Sequence, residues 1–152
     1  MPKLKNYCSY TTLEILLVII LLAVFVAIVL PRFGAGDLLN KQSLRAIAYN
    51  IASDIRATRQ LAMTNAQAWT YSIQFDFTQN IYRIIAPNSE ILETKTIPSA
   101  VTASGTSRYN FSPLGIASWT IGSGSINLAI ASGEIWTVAV NGPTGTVRIQ
   151  KP

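Results

Sequence analysis

A chain of 152 residues is about one domain's worth, and once an apolar N-terminal run is set aside the remainder still suffices for a single core. It carries 12 Lys and Arg against 7 Asp and Glu, no histidine and one cysteine, for a formal net charge of +5. Among the acids only Glu90 and Glu93 stand close together, too little for a paired-carboxylate site or a hard-metal cage, and there is no Gly-x-x-x-x-Gly-Lys-Ser phosphate loop. We therefore expect no enzyme, no cofactor and no metal. The basic residues are scattered rather than clustered, which reads as a solvated surface before it reads as a nucleic-acid footprint.

The chain begins with a short basic stretch, residues 1–9, that contains Lys3 and Lys5. Residues 15–30 then form sixteen positions without a charge or a strong hydrogen-bonding side chain. As a helix these cover about 24 Å; counted over residues 10–33 the helix reaches about 36 Å, enough to cross a hydrocarbon core of about 30 Å if Glu14 is tolerated near one end. A charge inside such a segment costs about 2.5–3.5 kcal/mol, and no Lys, Arg or His lies within residues 10–30. Glu14 is thus either hydrated at the headgroup level or paired with a cation from outside the segment. A secretory signal is cut after its apolar run beside small residues, whereas this run ends Leu30-Pro31-Arg32-Phe33 with no such site, so the segment is expected to stay attached. Cys8 precedes the run rather than following it, which speaks against a lipoprotein signal. Lys3 and Lys5 on one side oppose Arg32, Lys41 and Arg45 on the other, so charge alone leaves the orientation open.

Pro31 removes a backbone donor and clashes with the preceding turn, and Gly34 and Gly36 each lower helix propensity by about 1 kcal/mol, so a kink is expected at Pro31. Asp37 is placed to cap a resumed helix. Along it Leu44, Ile47, Ala48, Ile51, Ile55 and Ala62 recur at three- and four-residue intervals as one buried face. The opposite face carries Lys41, Arg45, Asn50, Asp54, Arg56 and Gln60, read as solvated surface, with Asp54, Thr58 and Arg59 included in that reading.

From Trp69 the period changes to alternation, with Trp69, Tyr71, Ile73, Phe75 and Phe77 on one face of a half-buried strand. Residues 78–80 turn into a second strand at 81–85. Further strands are expected at 91–97, 108–112, 125–131, 135–141 and 146–150, separated by Pro87-Asn88, Ser112-Pro113, Gly122-Ser123-Gly124 and Gly142-Pro143-Thr144-Gly145. Residues 99–105, small and polar, read as a flexible surface loop. The expected class is α+β: a long N-terminal helix, transmembrane and then amphipathic, packed on a small, mostly antiparallel β head.

The order of a basic leader, a small residue, an aromatic, two threonines, Leu13, Glu14 and an aliphatic run resembles the processing site of type IV prepilins and type II secretion pseudopilins. Ser9 stands where that family has the glycine before the cut, Tyr10 where it has the Phe that becomes the N-methylated first residue, and Glu14 on the family glutamate. Pro31 matches a proline common in these stems. Serine for glycine and Thr12 for leucine depart from the pattern. The run Arg59-Gln60-Leu61-Ala62-Met63-Thr64-Asn65-Ala66, the unit Phe111-Ser112-Pro113-Leu114-Gly115 and the closing Gly145-Thr146-Val147-Arg148 resemble the GspH/FimT group of minor pseudopilins and minor pilins, though each alone is also ordinary turn and strand chemistry.

The resemblance implies a pilin-like fold divided into a leader (1–9), a hydrophobic transmembrane and assembly helix (10–33), an amphipathic second half of the stem (34–68) and a β-rich periplasmic head (69–152). Prepilin peptidase would cut between Ser9 and Tyr10, and Glu14 of one subunit would neutralise the new Tyr10 amine of its neighbour, a pairing much stronger in a low dielectric than in water. Cys8 would leave with the leader, so the mature chain has no thiol for a disulfide. The implied setting is the bacterial inner membrane, crossed once with the head in the periplasm. The implied partners are the peptidase and other pseudopilins or minor pilins in a hetero-oligomeric filament. The function implied is that of a minor pseudopilin of a type II secretion pseudopilus. The alternative is a FimT-like minor type IV pilin at a pilus tip, binding DNA for uptake through Arg148 and Lys151. DNA-binding members carry a Gly-Arg-x-Arg element, and here Thr146 replaces one arginine; each lost phosphate contact weakens binding, so nucleic acid is the less favoured partner.

Overall fold

The computed structural model describes residues 11–29, 35–65 and 70–151. The protein is α+β, with two helices and antiparallel sheets, and the chain divides into two compact units, Met1–Gly36 and Asp37–Pro152.

The first unit holds α1 (Thr12–Val29). Thr11 begins it: its hydroxyl and its carbonyl both accept from the Glu14 N–H, at 3.3 and 3.0 Å, and the carbonyl also accepts from Ile15 N–H at 3.2 Å. Thr11 and Glu14 have the spacing of a capping box, and Glu14 lies in the first turn, where the helix dipole favours a carboxylate. The rest of α1 is apolar on every side, and its large side chains are exposed, Leu13 at 73% and Phe25 at 63%. The 18 residues of α1 cover about 27 Å, less than a hydrocarbon core of about 30 Å. Among the described residues no helix is long and apolar enough to cross a membrane. The expected span over 10–33 is therefore seen as helix only over Thr12–Val29; Ser9, Tyr10 and the expected kink at Pro31 lie outside the described residues. The expected long N-terminal helix is described in two parts, with residues 30–34 between them outside the described residues. A second helix, α2 (Ala35–Asn65), is the longer of the two at 31 residues and is amphipathic rather than apolar.

From Asp37 onward α2 belongs to the second unit. Leu44, Ile47, Ala48, Ile51, Ile55 and Ala62 are buried as their spacing predicts, joined by Ala52 and Thr58. The Thr58 hydroxyl donates to the Asp54 carbonyl at 2.7 Å, which satisfies a polar group on the buried stripe. Asp37 sits within the first turn rather than ahead of it, so it complements the helix dipole instead of acting as the cap.

Among the described residues nine strands follow: β1 (Tyr71–Asp76), β2 (Ile81–Ile85), β3 (Ile91–Thr96), β4 (Val101–Gly105), β5 (Arg108–Phe111), β6 (Ala117–Trp119), β7 (Ser125–Ile130), β8 (Ile135–Val140) and β9 (Val147–Gln150). They form one five-stranded sheet in the order β3-β2-β1-β5-β6 and one four-stranded sheet in the order β4-β7-β8-β9. Both sheets and α2 share a core in which Tyr82, Tyr109, Phe111, Leu44, Ile51, Ile126 and Leu128 are fully covered. Asp76 closes the β1–β2 turn by accepting from the N–H groups of Thr78 and Gln79 at 3.1 and 3.0 Å.

The flexible loop expected over residues 99–105 is instead β4. Val101 and Ala103 point into the core while Thr102 and Ser104 face out, and the strand pairs along its length with β7. Its alternation is carried by small side chains with little contrast in hydropathy, so period-2 patterning is faint there. The three-residue β6 was likewise not expected.

Candidate functional site

Glu14 is the one sequence-predicted assembly residue within the described structure, held in the first turn of α1 by the Thr11 cap. Arg148 is exposed on β9, opposite Ala139 of β8. Lys151 lies just past β9 with its ammonium 3.0 Å from Oε1 of Glu134, so the two residues expected to contact DNA do not act alike: one is open and one is engaged.

The sequence units Phe111-Ser112-Pro113-Leu114-Gly115 and Gly145-Thr146-Val147-Arg148 meet in space at a helix arginine. Arg59 Nε donates to the Gly115 carbonyl at 3.0 Å, and Arg56 Nη2 donates to the Val147 carbonyl at 3.1 Å. Ala117 N–H donates to the Gly142 carbonyl at 2.9 Å, tying the two loops directly. Gly145 has φ +61, and a Cβ there would run into the Gly115 carbonyl oxygen and the Arg59 side chain. Arg59 is thus not solvated surface, as its helix face had suggested, but a latch that holds both loops on α2, while Arg56 stays exposed and adds one bond to β9.

Asp54 departs from expectation in the same way. Its carboxylate is largely covered, accepting from the Tyr82 hydroxyl at 2.6 Å through Oδ2 and from Lys95 Nζ at 2.8 Å through Oδ1. Lys95 also reaches Glu93 at 3.4 Å. Burial first, and then the hydrogen bond to Asp54, push the Tyr82 phenol well above its ordinary range; the Asp54 hydrogen bond raises Lys95. With both proton affinities raised, the Tyr82 phenol and the Lys95 ammonium keep their protons at neutral pH and fasten α2 to β2 and β3. One signal was available in the sequence: Asp54 sits three residues after the buried Ile51 and directly before the buried Ile55, at the edge of the apolar stripe.

A third arrangement was not legible. Leu38, Lys41, Gln42 and Arg45 of α2 line a cleft of about 370 Å³ together with Glu134, Trp136 and Lys151 from the β8 and β9 ends. The Arg45 guanidinium lies 5.7 Å from the centre of the Tyr49 ring, which in turn packs 6.1 Å from the Trp136 ring. Glu134 Oε1 accepts from Trp136 Nε1 at 3.0 Å, and this bond, with that from Lys151, holds its carboxyl below the usual carboxylate range.

No protein-family model, curated protein or solved structure matches the chain. What the chain does is therefore argued from its own residues. They offer an uncovered apolar helix with one capped carboxylate, two polar fastenings inside the head, and one open cleft rich in cations.

Proposed function

We propose that the chain is a minor pseudopilin, a structural subunit of a type II secretion pseudopilus, cut by prepilin peptidase between Ser9 and Tyr10 and assembled through its N-terminal helix. The observation that supports this reading above the others is α1 itself. It is apolar on all sides, its side chains are exposed, and every residue of the buried core comes from the Asp37–Pro152 unit instead. A helix that is hydrophobic all round needs cover from lipid or from other helices. In this reading the segment crosses the inner membrane once, leaving the head in the periplasm. In the filament Glu14 pairs with the Tyr10 amine of a neighbouring subunit and sets its register.

Intact mass of the membrane-purified protein tests the processing step. The expected result is loss of residues 1–9 and gain of a single methyl group on Tyr10. Glu14→Ala is expected to reach the membrane but to stay out of the filament. A soluble mature chain that begins beyond Phe33 overturns the proposal.

The second reading, a FimT-like pilus-tip subunit that captures DNA, draws on the exposure of Arg148 alone, because Lys151 is engaged by Glu134. A gel shift with the full chain at two salt concentrations separates the readings. Salt-sensitive retardation that Arg148→Ala reduces would reverse their order.

A further inference from the structure

The cleft between the start of α2 and the ends of β8 and β9 is not used by the assembly reading, and its lining specifies a ligand. Neither Lys41 nor Arg45 takes part in an ion pair among the described residues. Both Trp136 and Lys151 bind Glu134, which lines the cleft, through Oε1, and Oε2 has no hydrogen-bond partner among the described residues. Beside these polar groups Leu38 and Leu39 stand exposed at 59% and 62%, and Trp136 contributes an aromatic wall. An occupant that matches all of this has an anion for Lys41 and Arg45, a hydroxyl to donate to Glu134, and an apolar body for Leu38 and Trp136.

We infer that this cleft binds the headgroup of an anionic, hydroxyl-bearing phospholipid of the phosphatidylglycerol kind. The phosphate diester meets Lys41 and Arg45, the headgroup hydroxyl donates to Glu134 Oε2, and the glycerol and first acyl carbons lie against Leu38 and Trp136. Nucleic acid fits less well, since it needs a track of cations. Further along α2, the Arg56 and Arg59 guanidinium groups are drawn to the Val147 and Gly115 carbonyls. A free phosphate leaves Leu38 and Trp136 without a role. The source of lipid rests on the membrane-anchored reading above, Leu38 following Val29, the last residue of α1, by nine positions in the sequence.

The test uses the full chain in neutral detergent micelles, titrated separately with dihexanoyl phosphatidylglycerol, dihexanoyl phosphatidylcholine, inorganic phosphate and a duplex oligonucleotide. Tryptophan emission is the readout, because Trp136 lines the cleft. Phosphatidylglycerol is expected to give a saturable change and phosphatidylcholine none. The pair Lys41→Gln with Arg45→Gln should weaken binding about fivefold for each cation removed. Both positions are exposed, so circular dichroism should be unchanged. Glu134→Gln should lower the preference for phosphatidylglycerol over a phosphatidic acid of the same chain length. The inference is overturned if inorganic phosphate competes as well as the lipid, if the oligonucleotide alone responds, or if the double variant binds like the parent. Alkaline carbonate extraction of membranes reads the anchor separately. A chain that is extracted yet binds phosphatidylglycerol in micelles sinks the anchored reading and upholds the cleft; a chain that resists extraction and binds no lipid does the reverse.

Discussion

α1 and α2 are built from the same aliphatic residue types and meet opposite ends. Ile47, Ile51 and Ile55 of α2 are buried, because Lys41, Arg45, Asn50 and Arg56 mark the other face as the one for water. In α1 no polar face exists after Glu14, so nothing in its sequence selects a side to bury, and its isoleucines and leucines remain open. The same side chain is core in one helix and unclaimed surface in the other, and the polar residues between them make the difference. The head has a buried core of its own, whereas the large side chains of α1 are left exposed and await cover.

The sharpest way to break this contrast is to truncate one aliphatic residue in each region. Ile51→Ala is expected to cost the head about 2–5 kcal/mol, because it opens a cavity in a fully covered core. Leu17→Ala, at a position 52% exposed, should change head stability by no more than about 0.5 kcal/mol. Denaturant unfolding of the full chain followed by tryptophan emission reads the head selectively, since Trp69, Trp119 and Trp136 all fall within Asp37–Pro152. Equal losses for the two variants would mean that α1 is part of the head's cooperative unit.

A smaller effect probes the polar fastening that the head has and α1 lacks. Asp54→Ala leaves the Tyr82 hydroxyl, on a residue only 1% exposed, without its acceptor, and frees Lys95 from its 2.8 Å bond. The expected loss is about 1–3 kcal/mol, most of it the cost of a buried hydroxyl left unpaired. Adding Tyr82→Phe to Asp54→Ala should recover part of that loss, which is the outcome that separates hydrogen bonding from mere packing.

These two variants also mark where the sequence could and could not be read. The stripe from Leu44 to Ala62 was legible because helical period and hydropathy agree along its whole length. Asp54 was misread because a carboxylate beside a buried stripe has the same local signature whether it faces water or a tyrosine brought in by β2. Arg59 was misread for the same reason, its acceptor being the backbone carbonyl of Gly115, which no side-chain pattern announces. The 99–105 segment hid its strand behind alanine, serine and threonine. The cleft joins Lys41 and Arg45 to Trp136 and Lys151 across most of the head's sequence, and only the placement of β8 and β9 beside α2 assembles it. The Thr11 cap was present as a Thr-x-x-Glu unit, but the same four residues were absorbed by the processing-site resemblance.

The smallest expected effect is in alkaline solution, and it again divides the two regions. Tyr82 and Lys95 both have raised proton affinities in the folded head, the first chiefly through burial and the second chiefly through the Asp54 hydrogen bond. Below pH 10.0 the phenol is protonated in folded and unfolded chains alike, so its contribution is complete. Above that value the unfolded chain releases the proton while the folded head keeps it, so the native state binds more protons and stability falls as pH rises. The share due to Tyr82 should reach about 1 kcal/mol one pH unit above its ordinary value, and Lys95 adds to the trend from 10.5 upward. Tyr109, pushed up to about 12 by burial, contributes equally to parent and variant. Denaturant midpoints of the parent and Tyr82→Phe measured between pH 9 and 11 should therefore converge as pH rises, the variant having the shallower slope. Parallel profiles would mean that the Asp54 fastening holds no proton. Residues 12–29 contain no tyrosine or lysine, so α1 should respond to lipid or neighbouring helices but not to alkali, and the difference between parent and Tyr82→Phe reads the head alone.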